Sequence, residues 1–391
     1  MMRILHVIPS LSPTSGGPSF ALPAMARALS GFDVHVTAAT TDDDGRGKHL
    51  PGITLGQITS KEGLDVLYFR KQTEFYKASL PLGGWLRRHV KQFDAVHVHA
   101  VFSFASLAAG RAAAAAGVPY VVRPLGVLNR WGMENRRRFV KALSFRLFDL
   151  PMLRKASAMH YTSRMEMEDA SRFGLKNLQR VIPIGMDLSP FDSLPQREVF
   201  SARFSETASS RNILFLSRVD EKKGIDLLLE AFARIATQRP DIHLVICGSG
   251  DTSLTAKLQS QAASLGIAPR VTWAGQVAGE LRLAAFSAAE MFVLPSHSEN
   301  FGIALLEAMA AGLPCISTDQ VALALDAVRD KAVVLAAREP GAIAAKIEAL
   351  LDSPQDRHRL GQSASILSRS EYSLPAMGKA LHDMYRDIVK N

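Results

Sequence analysis

Two acids frame the most chemically suggestive stretch of the chain, SHSENFGIALLEAMAAG (residues 296–312). Glu299 precedes a Phe-Gly pair, and Glu307 follows eight positions after Glu299. The apolar run between them has the length of a short helix, stopped by Gly312 and a Leu-Pro pair. Glu299 then lies ahead of the helix, beside the free amides of Phe301, Gly302 and Ile303. Glu307 sits about five residues in, roughly 7.5 Å along the axis at ~1.5 Å per residue. One carboxylate can meet a group ahead of the helix and the other a group along its flank. A diphosphate fits near the amides between them, because first-turn N–H groups lack an intrahelical acceptor and carry the positive end of the dipole. The plain alternative is a surface helix with a charged cap.

Cations come from FLSRVDEKKGIDLLLEAF. Arg218 closes a strand-like run, and Lys223-Gly224 directly precede an amphipathic helix, a pairing suited to a diphosphate. Gly248 and Gly250, in CGSGD, either line the same pocket or make the bend. A third place is SPTSGGPS, where Gly16-Gly17 precede Pro18, a good first helical residue. It is a close-approach loop or a plain turn, and it is not the G-x-G-x-x-G of dinucleotide sites. The run TTDDDG has the residue types of a divalent-ion site, yet Asp42, Asp43 and Asp44 read as a solvated loop far in sequence from the other motifs.

Positioning these residues requires strands that alternate with helices. Strands are expected at 3–9, 33–39, 65–70, 94–99, 119–123, 158–162 and 180–183, with helices over 19–29, 104–116 and 163–173. The pattern restarts near Arg211, with strands at 212–217, 243–247, 270–273, 291–294, 315–317 and 332–335. The architecture is α/β: two doubly wound Rossmann-like parallel-sheet domains facing a cleft. The first spans 1–186 and the second 211–371. Residues 187–210, polar and with two prolines, read as a linker, and 372–391 as a C-terminal helix crossing back to the first domain.

The 391 residues are 47% hydrophobic and 21% charged, as expected for a soluble globular chain. The net charge of +9 is uneven: residues 1–185 hold 25 Lys and Arg against 13 Asp and Glu, the remainder 21 against 24. The basic half lacks the interleaved aromatics of a nucleic-acid platform, which excludes that class of partner. Cys247 and Cys315 fall in apolar runs and read as buried thiols of a cytoplasmic protein. No signal peptide or membrane span is evident. Residues 136–155 (RRRFVKALSFRLFDLPMLRK) carry seven Lys and Arg, one Asp and apolar residues including Phe139, Leu143 and Leu147. They read either as a helix packed on its own domain or as an in-plane helix on an anionic membrane surface, at the inner face of the cell membrane.

The stretch SENFGIALLEAMAAG resembles the E-x(7)-E motif of retaining glycosyltransferases with the glycosyltransferase-B fold, most closely bacterial members that build cell-surface polysaccharides. SRVDEKKG resembles the R-x-x-x-x-K-G element of that class and SGGPS its glycine loop, while DAVHVHAVFSFASLAA, VVRPLGVLNRW, HYTSRMEMEDA and VIPIGMD keep the family order. The resemblance implies transfer of a sugar from a nucleotide-diphosphate donor to a glycan or polyprenyl-linked acceptor, with retained configuration and no metal or other cofactor. It implies that Arg218 and Lys223 hold the diphosphate, that Glu307 binds the ribose and that Glu299 binds the transferred sugar. Amides of Asn300, Phe301 and Gly302 would support the same region, with Ile303 also among the donor-binding residues and Gly16 and Gly17 bordering the phosphates. His99 matches the family histidine near the reacting sugar; His97 is assigned the opposite strand face and the core. Ile184, Leu125 and Asp251 depart from the family pattern. Alternatives are a nucleotide-sugar epimerase or hydrolase on the same architecture, and a non-catalytic donor-binding subunit.

Overall fold

The computed structural model describes residues 1–15, 17–61, 63–128, 143–299 and 301–390. Two compact units emerge: Met1–Met186 with Ser373–Asn391, and Asp187–Tyr372.

The first unit is built on Met2–Ser10 (β1), Val34–Thr41 (β2), Ile58–Lys61 (β3), Leu64–Phe69 (β4), Ala95–His99 (β5), Tyr120–Arg123 (β6), Ala158–Tyr161 (β7) and Leu178–Val181 (β8). Their order in the sheet is β3-β4-β2-β1-β5-β6-β7-β8, parallel except for β3, which runs antiparallel to β4. Its helices are Gly17–Leu29 (α1), Leu80–His89 (α2), Phe104–Ala116 (α3), Leu150–Lys155 (α4) and Arg164–Ser171 (α5). Successive strand side chains face opposite sides, so β1 feeds two cores. Leu5 and Val7 pack with Leu82 and Leu86 of α2 and Ala105 and Ala109 of α3. Ile4 and Ile8 join Leu22 and Met25 of α1 on the other face. Gly117 ends α3 at φ 70°, a left-handed cap that suits glycine.

The second unit pairs Arg211–Leu216 (β9), Ile242–Cys247 (β10), Val271–Gly275 (β11), Ala289–Leu294 (β12), Cys315–Ser317 (β13) and Val334–Leu335 (β14) in the order β11-β10-β9-β12-β13-β14, all parallel. Helices Arg197–Ser201 (α6), Ile225–Ala236 (α7), Thr252–Ser264 (α8), Gly279–Ser287 (α9), Ile303–Ala310 (α10), Ala322–Ala327 (α11), Pro340–Asp352 (α12) and Pro354–Glu371 (α13) accompany it. The chain then returns to the first unit as Leu374–Val389 (α14), whose Leu381, Met384 and Tyr385 join the α1 side of the first sheet.

Residues 187–210, expected as a linker, are instead part of the second unit. Phe200 of α6 is buried there, and the Asn212 amide donates to Thr207 O at 3.0 Å and to Ala288 O at 2.9 Å. The prolines and polar residues that suggested a linker make short turns around one apolar anchor. Both cysteines are buried and unpaired; burial pushes the Cys247 thiol up to about 12. Among the described residues no helix is long and apolar enough to cross a membrane.

In each sheet the strand order reverses direction beside the first strand of the unit, between β1 and β5 and between β9 and β12. Ligands of open α/β sheets bind beyond the carboxyl ends of strands at such reversals.

Candidate active site

At the reversal in the second unit, three loops are pressed backbone against backbone. Gly224 has φ 69°, and a side chain there would place its Cβ 2.1 Å from Pro295 O. A Cβ on Gly248 would lie 1.8 Å from Ser217 O. Only glycine allows approaches this close. They bring the ends of β9, β10 and β12 together, helped by Val219 N–H to Ser249 O at 3.0 Å and His297 N–H to Lys222 O at 2.7 Å. Arg218, at the end of β9, is exposed. Lys223 follows in a turn capped by Asp220, whose carboxylate accepts from Lys222 N–H at 3.0 Å.

The structure joins two residues that the sequence separates by 76 positions: Lys223 Nζ touches Glu299 Oε2. Glu299 is held by its backbone N–H donating to Gln320 O at 2.9 Å. Gly302 caps α10 at φ 103°, no side chain occupies that cap, and no acid lies in the first turn. The amides at this helix start are therefore available to an anion. Phe301 is buried, its ring 6.0 Å from that of Tyr372, and Ile303 is exposed. Asn300 lies outside the described residues, as does Gly16; Gly17 is the first residue of α1.

Glu307 is almost fully buried along α10, and Arg282 Nη2 of α9 donates to both of its oxygens. Burial pushes the Glu307 carboxyl above the ordinary range, and the Arg282 charge opposes that shift. Sequence reading missed Arg282, because nothing in its spacing marks a residue 25 positions upstream on another helix as the partner. The two glutamates thus have separate cations, Lys223 ahead of the helix and Arg282 along its flank.

At the reversal in the first unit, four histidines and an arginine share one face of the sheet. His97 and His99 are two residues apart in β5, so they point the same way, and their rings stack at 4.4 Å. The expectation that put them on opposite faces is incorrect. His6, the register partner of His97, and Arg123, that of His99, lie on the same face. His99 is fully buried, with Nε2 2.9 Å from His6 Nδ1. Burial, the neighbouring His6 and Arg123 hold its proton affinity well below the usual range. Burial and Arg123 take His6 down to about 3. Burial lowers Arg123 itself to about 10, against the Glu166 charge, so it stays a cation at neutral pH; its Nε and Nη1 have no partner.

The backbone beyond these strand ends is strained. Ala100, Phe102 and Leu125 have φ of 69°, 58° and 62°, a region that costs an L-residue roughly 1–2 kcal/mol. Ala100 N–H donates to Arg123 O at 2.9 Å, Phe102 N–H to Asp149 Oδ1 at 2.9 Å, and Thr162 N–H to Glu166 Oε2 at 2.7 Å. Such strain persists only where the surroundings over-determine it, which is common at functional sites.

Two groups have the residue types of metal ligands. Nitrogens of His6, His97 and His99 lie within 4.8 Å of one another. Both nitrogens of His6 and of His97 are committed, to His99, His160 and Tyr385, and His99 Nδ1, the one left over, lies beside the Arg123 cation, so this donor set does not fit a metal ion. The acidic run is not the solvated loop expected. Asp42 and Asp43 are buried; Asp42 pairs with Arg70 at 2.9 Å, and Asp43 with Lys71 at 2.8 Å and with Lys77. Burial raises the Asp43 pKa, but the two lysines outweigh it and the net shift is downward. Asp44 accepts hydrogen bonds from Ser12 and Thr14, tying the loop after β1 in place.

Two family models match the chain: glycosyl transferases group 1 over residues 197–366, and the glycosyl transferase 4-like domain over residues 16–185. Alpha-D-kanosaminyltransferase of Streptomyces kanamyceticus is 32% identical over 178 residues, 45% of each chain. The match thus spans about half the length of such curated relatives. Among solved structures, Anabaena HepE in complex with UDP superimposes with a TM-score of 0.78 at 18% identity, covering 99% of this chain and 100% of that one. Sucrose-phosphate synthase from Thermosynechococcus elongatus gives 0.75 at 20%, covering all of both. The chain belongs to the group 1 glycosyltransferases and has the glycosyltransferase-B fold.

Proposed function

We propose that this glycosyltransferase moves a sugar from a nucleotide-diphosphate donor, a UDP- or GDP-sugar, to a glycan or lipid-linked glycan in bacterial surface-polysaccharide synthesis, retaining the anomeric configuration. The observation that carries this reading is the meeting of Lys223 and Glu299 at the open N-terminus of α10. A diphosphate would take the Arg218 and Lys223 charges and the α10 amides, its ribose would reach Glu307, and its sugar Glu299. The HepE complex with UDP supports a uridine nucleotide as the first donor to try.

The chemical demand is to stabilise charge on the departing diphosphate while an oxocarbenium-like sugar forms. Preorganised donors do this well, since they need no reorganisation as the bond breaks. Among the described residues no nucleophile is assigned; in the front-face route that the resemblance implies, the acceptor hydroxyl attacks from the leaving-group side and the departing phosphate takes its proton. The cations supply what a divalent ion supplies elsewhere.

A thermal-shift screen of UDP-, GDP- and dTDP-sugars followed by transfer assays tests the reading, since a ligand of the folded state raises its apparent stability. Stabilisation by one nucleotide sugar, transfer that survives EDTA, and a product of unchanged anomeric configuration are expected. An inverted product, or activity that EDTA abolishes and manganese restores, contradicts it.

Membrane contact has its own support. Residues 129–142 lie outside the described part, but Leu143, Leu147 and Phe148 are exposed next to Phe75. With Tyr76, Phe104 and Leu107 they border an apolar hollow of about 590 Å³. Flotation with anionic but not neutral vesicles is expected; equal binding to both, or to neither, contradicts a lipid-facing role.

A further inference from the structure

A chain of hydrogen bonds runs through the α14-covered face of the first sheet, and its proton positions follow from one end. Ile182 O can only accept, so His160 Nε2, 2.9 Å away, carries a hydrogen. Burial, and then the Arg123 charge, keep His160 neutral, so its Nδ1 is an acceptor and takes the hydrogen of His97 Nε2 at 3.2 Å. Burial first, and then the neighbouring histidines and Arg123, keep His97 neutral, so its Nδ1 accepts from the Tyr385 hydroxyl at 2.7 Å. Having donated its one hydrogen, the Tyr385 oxygen accepts from His6 Nε2 at 3.1 Å. His6 Nδ1 is then bare and accepts from His99 Nε2 at 2.9 Å. His99 is left with a bare Nδ1, a buried atom with no partner.

We propose that Tyr385 is a positioning residue for sugar transfer: its hydroxyl fixes His99 as the Nε2–H tautomer and keeps Nδ1 as a free acceptor for a substrate hydroxyl. This rests on the reading that the end of β5 borders the transferred sugar. The chemistry of the unused atoms selects the ligand group. His99 Nδ1 lacks a donor, while Arg123 Nε and Nη1 lack acceptors. A hydroxyl both donates and accepts, and so satisfies both; a phosphate or carboxylate would leave a lone pair facing the imidazole. His99 is closed to solvent, so a hydroxyl reaches it only after a local opening of the chain around it. Tyr385 lies 288 positions beyond His97, on a helix that carries no other part of the site. Its role is invisible to any local motif.

The test compares the full-length wild type with Tyr385→Phe, which keeps the ring and its packing. Imidazole ¹⁵N–¹H NMR needs no substrate and reads each tautomer directly. Wild-type His99 is expected to show Nε2–H and an unprotonated Nδ1 at neutral pH. In Tyr385→Phe its signals should shift to a mixture of both tautomers, with kcat falling about ten- to a hundredfold and donor KM unchanged. A wild-type His99 that is charged, or protonated at Nδ1, overturns the proposal without any variant. So does a folded Tyr385→Phe enzyme in which either the tautomer or kcat stays as in wild type. A wild type that transfers no sugar refutes the proposed function instead, and the wild-type tautomer still decides this inference.

Discussion

The two strand-end regions handle charge in opposite ways. In the second unit every acid of the motif has a cation: Glu299 touches Lys223, and Glu307 is held by Arg282. Lys223 and Glu299 remain partly open and Arg218 is exposed, so an incoming anion can exchange with these pairs. In the first unit the four histidines are buried and neutral, and they share their face with Arg123, which has no acceptor for two of its nitrogens. The second unit is built to receive charge. The first is built to present fixed, uncharged hydrogen-bonding atoms, and it bears strained backbone to do so.

If that contrast is right, the largest effect comes from the second unit. Arg218→Ala or Lys223→Ala should lower kcat roughly a hundred- to a thousandfold, as loss of one preorganised charge-stabilising donor does elsewhere. Steady-state rates check this, and a change in donor KM alone would blur the contrast.

A smaller effect should appear in the first unit as pH-dependent stability. Burial raises the Asp149 pKa from 3.8 to about 6, against the hydrogen bond from Phe102 N–H. The folded chain therefore holds this proton more tightly than the unfolded chain does. The stabilisation is complete below about pH 4 and is lost as pH rises through about 6, a swing of about 3 kcal/mol. Asp149→Asn keeps an acceptor for Phe102 and should flatten the pH dependence of Tm over this interval; an unchanged slope contradicts the assignment.

The smallest effect sharpens the contrast most. Arg123→Met should remove a buried, incompletely paired charge, raising stability by about 1 kcal/mol or more while turnover falls. Denaturant melts and rates on the same samples decide it. A loss of stability would mean that Arg123 holds the first unit together rather than serving the site.

Legibility followed the same divide. Arg218, Lys223, Glu299 and Glu307 stand in two short segments whose spacing carries their chemistry, so sequence alone singles them out. The alternation of strands and helices likewise anticipates both parallel sheets. Edge strand β3 was missed because ITSK is short, polar and mostly exposed, without a buried face to print a pattern. Helix α2 was missed because LPLGGWLRRH contains a proline and two glycines; the Ser79 cap and buried Leu82 and Leu86 sustain it instead. The first-unit network escaped because its members, His6, His97, His99, His160 and Tyr385, come from four elements. Such a set has no period and no motif, and only the sheet order brings it together.

The central claim is that the two glutamates serve opposite ends of one donor, and calorimetry with the free nucleoside diphosphate tests it most directly. Glu307→Ala should weaken that nucleotide by about 1.5–3 kcal/mol, the worth of hydrogen bonds to a charged acceptor. Glu299→Ala should leave nucleotide affinity nearly intact and show its damage in turnover, because its proposed partners are on the sugar. Equal loss of nucleotide affinity in both variants, or normal binding and rates in both, would contradict the account.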